Sequence, residues 1–237
     1  AYMYPYPYED YTDLKVRKYG FHGTSHRYVS EVAREMLGKE DSKIIVCHLG
    51  NGASISAVQN GKVVDTSMGM TPLAGVMMGT RTGDADPASV IYIMRKRGLS
   101  LDEMNTRMNK QSGILGIFGE SSDFRDLDTA RRGGNERAIL AYEMFCYRVQ
   151  LYIGAYVAAM NGIDAIAFTG GIGENSVGVK QHICESLSYF GIELDEEKNA
   201  QRLPGNVELS TKDSKVKIYK IETAEELVIA RDTYKLT

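Results

Sequence analysis

The chain has 237 residues, of which 43% are hydrophobic and 25% charged, and its formal net charge is −3. This composition is typical of a globular protein with a substantial core, and the absence of a long basic run gives no support for nucleic-acid binding. The apolar runs are short, so no membrane span is predicted. The opening AYMYPYPYEDY lacks the basic and apolar regions of a signal peptide. No initiator Met precedes that opening, so we expect the chain to start within a longer protein.

The three cysteines are Cys47, Cys146 and Cys184. Their odd number and wide spacing argue against a disulfide framework and predict reduced, mostly buried thiols in a cytoplasmic protein. Cys47 stands next to His48, as in half of a metal site. No matching Cys/His pair occurs elsewhere in the sequence, which disfavours zinc.

The first third of the chain predicts a helix followed by a three-stranded meander. Pro5 and Pro7 favour an extended conformation in residues 1–18. Residues 25–37 are predicted as a helix with Thr24 or Ser25 as N-cap and Gly38 as stop. The strands predicted next, with Asn60-Gly61 as a hairpin turn, are Lys43–His48, Ala53–Val58 and Val63–Thr66.

The rest of the chain is mostly helical in pattern. Helices are predicted at about 86–97, 101–110, 126–132, 175–190 and 224–235. Strands are predicted at Asp164–Thr169 and near 206–210 and 215–221. The segment Asn135–Met160 predicts one long helix, apolar nearly all round, which indicates burial in the domain or in a subunit interface. The element order indicates an α/β or mixed fold.

Four glycine-rich loops place small residues beside His, Arg or Glu. They are YGFHGTSH (19–26), HLGNG (48–52), GTRTGD (79–84) and FTGGIGEN (168–175). Glycine lets backbone N–H groups approach an anion, and His and Arg add donors that follow moving charge. Together the loops indicate a site that handles phosphate.

Each loop also has an ordinary structural interpretation. HLGNG is also typical of a plain hairpin turn, Arg81 of a surface residue in a turn, and Asp123-Phe124-Arg125 of a helix start. His26 is expected to cap or pack, whereas His22 is the better ligand candidate. Glu225 or Glu226 suits the first turn of any helix.

A dinucleotide fold is the weaker enzymatic alternative. Gly171 and Gly173 nearly match GxGxxG, but Ser176 takes the third glycine position. The strands of a Rossmann fold should follow that motif, and too little chain remains for them. The Walker A motif and the protein-kinase HRD set are both absent.

The loops together resemble the acetate kinase family of short-chain carboxylate kinases. The matching stretches are YGFHGTSH, CHLGNGASI, VVDTSMGMTPLAGVMMGTRTGDADP, SSDFRDL, AFTGGIGENS and ETAEELVIARDT, in the family's order from about residue 17 onward. The resemblance implies an α/β, ribonuclease-H-like domain of the actin/Hsp70/sugar-kinase superfamily, the second of two duplicated domains. Residues 1–224 would form this nucleotide-binding domain, and 225–237 a helix that packs on the first.

The resemblance implies reversible phosphoryl transfer between ATP and acetate, giving ADP and acetyl phosphate, with Mg²⁺ and in a homodimer. His22 and Arg81 would stabilise the transferred group, and Phe21 and Pro72 would line the acyl pocket. Glu225 would position Mg²⁺. The implied nucleotide-binding residues are His48, Leu49, Gly50, Asn51, Gly52, Asp123, Phe124, Arg125, Gly171, Ile172, Gly173, Glu174 and Asn175.

The family's first domain, which carries further active-site residues, has no counterpart here, so we expect this chain alone to be inactive or nearly so. A propionate kinase of the same family and a non-catalytic nucleotide-binding fragment remain alternatives. A third is a structural role in which the long helix mediates dimerisation.

Overall fold

A computed structural model describes residues 1–236, and the side chains of residues 1–235. The helices are α1 Tyr8–Thr12, α2 Gly23–Leu37, α3 Pro87–Arg97, α4 Leu101–Lys110, α5 Gly113–Phe118, α6 Phe124–Arg132, α7 Glu136–Met160, α8 Gly170–Asn175, α9 Val177–Glu185, α10 Glu196–Ala200 and α11 Glu225–Leu236. The strands are β1 Lys43–Leu49, β2 Ala53–Gln59, β3 Lys62–Thr66, β4 Ala165–Thr169, β5 Val207–Glu208 and β6 Lys217–Lys220. Among these helices none is both long and apolar enough to cross a bilayer.

The strands form one mixed sheet in the order β3-β2-β1-β4-β6-β5. The first three strands are an antiparallel meander, as predicted, and Asn60 and Gly61 both have positive φ in its second turn. Strand β4 then pairs parallel with β1, and β6 pairs parallel with β4. An antiparallel meander continued by parallel strands is the arrangement of a ribonuclease-H-like domain, so the predicted fold class is confirmed.

Helices cover both faces of the sheet, which explains why β1 and β4 read as continuous apolar runs. Helix α7 packs on β1 and β2, and helices α5, α6 and α9 pack against α7. Helix α2 packs on β1 and β4 and contacts α11. The side chains of strand β1 alternate between two cores, one on each face of the sheet. Cys47 and Leu49 join the larger core under α7, and Ile44 and Val46 join a smaller core under α2. All three cysteines are buried.

Helix α7 is the central core helix of the domain. Ten of its residues are buried: Ala138, Ala141, Tyr142, Phe145, Cys146, Val149, Ile153, Tyr156, Val157 and Met160. The exposed large apolar side chains Leu140, Tyr147 and Leu151 follow one another at helical spacing on another face. The apolar character of this segment therefore comes mainly from the core, and an exposed stripe remains.

Several predicted boundaries were wrong near glycines and prolines. Helix α2 begins at Gly23 with His22 as N-cap, where Thr24 or Ser25 was expected, because His22 adopts the left-handed conformation with φ 57. A short helix, α1, follows Pro7, whose fixed φ suits a helix start.

The C-terminal half also differs from the prediction in detail. Gly170 and Gly171, expected as a turn, form the first turn of α8. The single helix predicted for 175–190 is α9 followed by a 3-10 turn at Ser188–Phe190, separated from α8 by Ser176. Helices α5 and α10 were not predicted.

Candidate active site

The candidate site lies where parallel strands β1 and β4 end. Leu49 closes β1 and leads into the HLGNG turn (His48–Gly52), and Thr169 closes β4 and leads into α8. The two strands are in register here, since His48 pairs with Thr169. Ligands of open α/β sheets bind in the crevice at the carboxyl ends of such strands.

Two imidazoles stack beside the HLGNG turn. The rings of His22 and His48 have centroids 4.3 Å apart and an interplanar angle of 29°. His22 Nδ1 is hydrogen-bonded to Ser54 Oγ at 2.9 Å, and His48 Nδ1 to Ser25 Oγ at 2.8 Å. Burial lowers the pKa of His22, and it lowers the pKa of His48 to about 4. Both rings are therefore neutral at pH 7.

Arg81 converges on the same turn. A Cβ atom built on Gly52 would lie 3.4 Å from Arg81 Nη1 and 3.5 Å from His22 Nε2, so these two side chains flank the backbone of Gly52. Arg81 Nη1 also donates to the Pro72 carbonyl oxygen at 3.4 Å. Beyond the effect of burial, the charge of Glu225 raises the pKa of His22 and that of Arg81 lowers it. The predicted catalytic pair and Glu225 thus share one electrostatic environment.

The loop that carries Arg81 is held by its backbone. Gly79 N donates to Asn51 O at 3.0 Å, and Met78 N donates to Arg81 O at 3.1 Å. A side chain at Gly79 would displace the Asn51 side chain, because a Cβ there would fall 1.7 Å from Asn51 Oδ1. At Gly113, with φ +63, a Cβ would meet Met78 O at 2.1 Å. The loop that carries Arg81 is therefore held against the HLGNG turn by backbone hydrogen bonds.

Helix α8 carries the predicted nucleotide residues Gly171–Asn175. The Glu174 carboxylate turns inward, where Oε1 accepts from Gly170 N at 3.0 Å and from Thr223 N at 3.2 Å. This links α8 to the segment that leads into α11 and Glu225. Asn175 Nδ2 donates to Gly171 O at 3.0 Å.

A buried ammonium caps the other end of α8. Lys180 is 2% exposed, and its Nζ donates to the carbonyl oxygens of Gly173, Glu174 and Ser176 at 3.1–3.2 Å. Burial, with a further contribution from Lys220, lowers the pKa of Lys180 to about 8, so it stays protonated at pH 7. Lysine near a helix C-terminus stabilises the last carbonyl groups.

Asp123–Arg125 lies at the start of α6. The Asp123 side chain caps the helix by accepting from Arg125 N at 2.8 Å, and it pairs with the Arg125 guanidinium at 2.6 Å, which lowers the pKa of Asp123 to about 2. Phe124 packs on Tyr142 and Phe145. The preceding Ser122 carbonyl lies 3.3 Å from a Cβ built on Gly79, so this segment borders the loop of Arg81.

Phe21 and Glu225 complete the predicted set. Phe21 immediately precedes His22 and packs against the larger core. Within the described side chains, no group of three or more His, Cys, Asp and Glu residues could hold a metal ion. Mg²⁺ is commonly held by one or two carboxylates plus substrate phosphates, so a single carboxylate near His22 is a fitting donor set.

The sequence reasoning missed the polar residues behind the histidines. Ser54 and Ser56 are 0% and 1% exposed in β2, and Ser25 is fully buried in α2. The available signal was the strand ASISAVQ, in which two serines alternate with apolar residues on a strand predicted to be buried. Buried hydroxyls need partners, and here the partners are the imidazoles.

Comparison with known proteins gives consistent matches. The sequence pattern of the Acetokinase family matches residues 1–231. The acetate kinase of Fusobacterium nucleatum is 64% identical over 237 residues, and that of Clostridium botulinum is 58% identical over 239 residues. Each match covers 100% of this chain, which spans 60% of the length of these curated relatives.

Solved structures agree in fold. The crystal structure of Porphyromonas gingivalis acetate kinase superposes with a TM-score of 0.96 at 46% identity, covering 99% of this chain and 59% of that one. A propionate kinase from Francisella tularensis superposes with a TM-score of 0.92 at 43% identity, covering 98% and 59%.

Proposed function

Since this chain belongs to the acetokinase family, we propose that it acts in an acetate kinase, transferring the γ-phosphoryl group of ATP reversibly to acetate. The observation that carries the proposal is the convergence of His22, Arg81 and the HLGNG turn at the carboxyl end of β1. Phosphoryl transfer needs positioned donors and charge neutralisation more than covalent chemistry by the protein. This arrangement offers both.

The proposed reaction is an in-line displacement. An acetate oxygen bonds to the γ-phosphorus as the bond from that phosphorus to the β–γ bridging oxygen breaks, and ADP leaves with the electron pair. Arg81 would stabilise charge on the oxygens of the transferring group, and His22 would donate a second hydrogen bond from a neutral ring. A Mg²⁺ ion held by Glu225 and the nucleotide phosphates would neutralise further charge.

The remaining assignments come from the resemblance to the family. The backbone of His48, Leu49, Gly50, Asn51 and Gly52 would contact the nucleotide phosphates. The other proposed nucleotide-binding residues are Asp123, Phe124, Arg125, Gly171, Ile172, Gly173, Glu174 and Asn175. Phe21 and Pro72 would line the acyl pocket, and a propionate kinase is the second candidate because one such enzyme shares the fold closely.

A chimera tests the activity. These residues would replace the matching 60% of the Fusobacterium nucleatum enzyme, and we expect the chimera to form acetyl phosphate from ATP and acetate, with propionate as competitor. Because the chain spans only part of its relatives, we expect the 237 residues alone to turn over slowly or not at all, and to bind Mg-ADP weakly in titration calorimetry. A chimera that folds but transfers no phosphoryl group to either acid would reject the proposal.

Arg81→Ala in that chimera should lower kcat by about 10²–10³ with a smaller change in KM for ATP, because the contact forms as charge develops. Arg81→Lys should not rescue, since a point charge cannot replace the planar fork. Arg95→Ala, in the last turn of α3, is the matched control. A near-normal kcat for Arg81→Ala removes Arg81 from the catalytic residues.

We further propose a homodimer in the cytoplasm. The buried free cysteines suit a reducing compartment. The stripe of Leu140, Tyr147 and Leu151 on α7 is 49%, 57% and 47% exposed and offers an apolar contact surface. Sedimentation equilibrium of wild type and Leu151→Glu tests the dimer. A wild-type monomer at tens of micromolar, or a dimer unaffected by Leu151→Glu, counts against this interface.

A further inference from the structure

A continuous chain of hydrogen bonds runs from the interior of the protein to His22. Ser56 Oγ is bonded to His26 Nδ1 at 2.8 Å, His26 Nε2 to Ser54 Oγ at 2.7 Å, and Ser54 Oγ to His22 Nδ1 at 2.9 Å. The two serines lie on the same face of β2, whereas His22 is the N-cap of α2 and His26 lies in the first turn of that helix. Ser54, Ser56 and His26 are 0%, 1% and 3% exposed.

Each hydroxyl and each neutral ring in this series of hydrogen bonds carries one proton that it can donate. Burial, with the nearby His48 and His22, lowers the pKa of His26 to about 3, so its ring carries one N–H. In one direction Ser56 donates to His26, His26 to Ser54, and Ser54 to His22 Nδ1. In the opposite direction His22 Nδ1–H donates to Ser54, and the order of donors reverses down to Ser56.

Ser56, at the buried end of this series of hydrogen bonds, distinguishes the two directions. Within the described residues, Ser56 Oγ forms no hydrogen bond other than the one with His26 Nδ1. If His26 donated to Ser56, the hydroxyl proton of Ser56 would have no acceptor among the described residues. A buried unsatisfied donor costs about 1–3 kcal/mol. The direction that begins with Ser56 as donor gives the protons of Ser56, His26 and Ser54 an acceptor each.

We propose that Ser56, His26 and Ser54 form a relay of positioning residues that fixes His22 as the neutral Nε2–H tautomer. The Nδ1 atom of His22 accepts from Ser54 and faces inward. The Nε2–H group faces Gly52 and Arg81 Nη1, where a Cβ built on Gly52 would lie 3.5 Å from Nε2. The relay therefore presents a donor to the site without adding a second positive charge beside Arg81.

The tautomer follows from the hydrogen bonds and from burial of the relay, whereas its use in catalysis rests on the proposed function. An imidazole with Nδ1–H and a bare Nε2 would turn a lone pair toward a phosphoryl oxygen and repel it. Fixing the proton on Nε2 removes that arrangement before any substrate binds. Which histidine nitrogen carries the proton is set by the partner of the other nitrogen.

Nitrogen-15 NMR of the 237-residue chain tests the relay directly. The chain has only 4 histidines, so long-range ¹H–¹⁵N spectra of histidine-labelled protein resolve each ring and its tautomer. At pH 7 we expect His22 in the Nε2–H form. Ser54→Ala should abolish this single-tautomer signature at His22, and Ser56→Ala should abolish it at His26.

Ser30→Ala is the matched control, because Ser30 is also buried in α2 but its hydroxyl donates to the Arg27 carbonyl outside the relay. It should leave His22 and His26 unchanged. A wild-type His22 in the Nδ1–H or imidazolium form overturns the proposal. So does a folded Ser54→Ala protein whose His22 spectrum matches wild type.

Kinetics of the chimera then separate the relay from the proposed function. Ser56→Ala, remote from substrate, should lower kcat in proportion to the lost Nε2–H population, on the order of 2–10-fold, with KM for ATP nearly unchanged. Ser56→Thr, which keeps the hydroxyl, should restore kcat. A tautomer shift without a loss of kcat rejects the role of His22 in transfer. An unshifted tautomer in an active enzyme rejects the relay alone.

Discussion

Mild acid should destabilise this fold sharply because it buries neutral histidines. The pKa values of His26 and His48 fall to about 3 and about 4 in the folded chain, from 6.5 in the unfolded one. Between these values the unfolded chain binds protons that the folded chain does not. The free energy of unfolding therefore falls as the pH drops through this window.

The expected size follows from the two pKa values. Lowering the pH from 7 to 5 should cost about 2 kcal/mol for each of His26 and His48, or about 4 kcal/mol together. His22 adds to the effect, since its pKa is also lowered. Free carboxyl groups have pKa values of about 3.9–4.3, so most of their titration lies below pH 5. A loss of this size is a large part of a typical domain stability of about 5–15 kcal/mol.

Urea unfolding at pH 7 and pH 5, followed by circular dichroism because the chain has 0 Trp, measures the effect. His26→Asn should remove about half of the pH response. Val29→Ala, another fully buried position on α2, should lower stability equally at both pH values. A wild-type difference below about 1 kcal/mol between the two pH values would refute the reasoning, as would a full response in His26→Asn.

Three further substitutions test how the site is held. Lys180→Met removes the ammonium that caps α8 and should lower the free energy of unfolding by about 2–4 kcal/mol in urea titrations. Gly79→Ala places a Cβ 1.7 Å from Asn51 Oδ1 and should weaken Mg-ADP binding by about tenfold, or 1.4 kcal/mol, in calorimetry of the chimera. Tyr152→Phe removes the hydroxyl that donates to Asp84 at the end of the Arg81 loop, and should cost about 1.5–3 kcal/mol of unfolding free energy.

Each of these variants has a control of the same chemistry. Lys212→Met and Tyr92→Phe change exposed side chains and should stay within about 0.5 kcal/mol of wild type. Gly154→Ala adds a Cβ with nothing within 4 Å and should leave nucleotide affinity unchanged. If a control variant loses as much stability or affinity as its test variant, the contact removed in the test variant is not the cause of the loss. An unchanged Mg-ADP affinity in Gly79→Ala would separate the Asn51 side chain from nucleotide binding.

The sequence predicted the elements whose causes are local. The run KIIVCHL has the length and β-branched content of a buried strand, and Asn60-Gly61 is the residue pair that a tight hairpin turn requires. Both are present as predicted. The HLGNG turn could be placed because it directly follows such a strand.

Elements whose causes are distant in sequence could not be predicted. Helix α5, GILGIF, contains two glycines and has poor helix propensity. It forms because Ile114 and Phe118 are buried and because Ile114 N and Leu115 N donate to the backbone of Met78 and Gly79. Tertiary contacts override propensity in such a segment.

In the candidate site, too, features with local causes could be predicted and features that depend on distant residues could not. The residue types at His22 and Arg81 and the glycines around them were readable from the sequence, since their chemistry suits phosphate. The hydrogen-bond partners of such residues could not be read from the sequence, because they are far apart in it. Ser54 and His22 are separated by 32 positions, and Glu174 and Thr223 by 49. Only the fold shows that Glu174 turns inward.

Acid sensitivity and chemistry at this site have one physical origin. An imidazolium at His22 would lie beside the Arg81 guanidinium. Burial, with a smaller contribution from that positive charge, lowers the pKa of His22 against the opposing charge of Glu225. A neutral ring donates through only one nitrogen, which makes the choice of tautomer matter. The ring of His22 is therefore preorganised as a neutral donor.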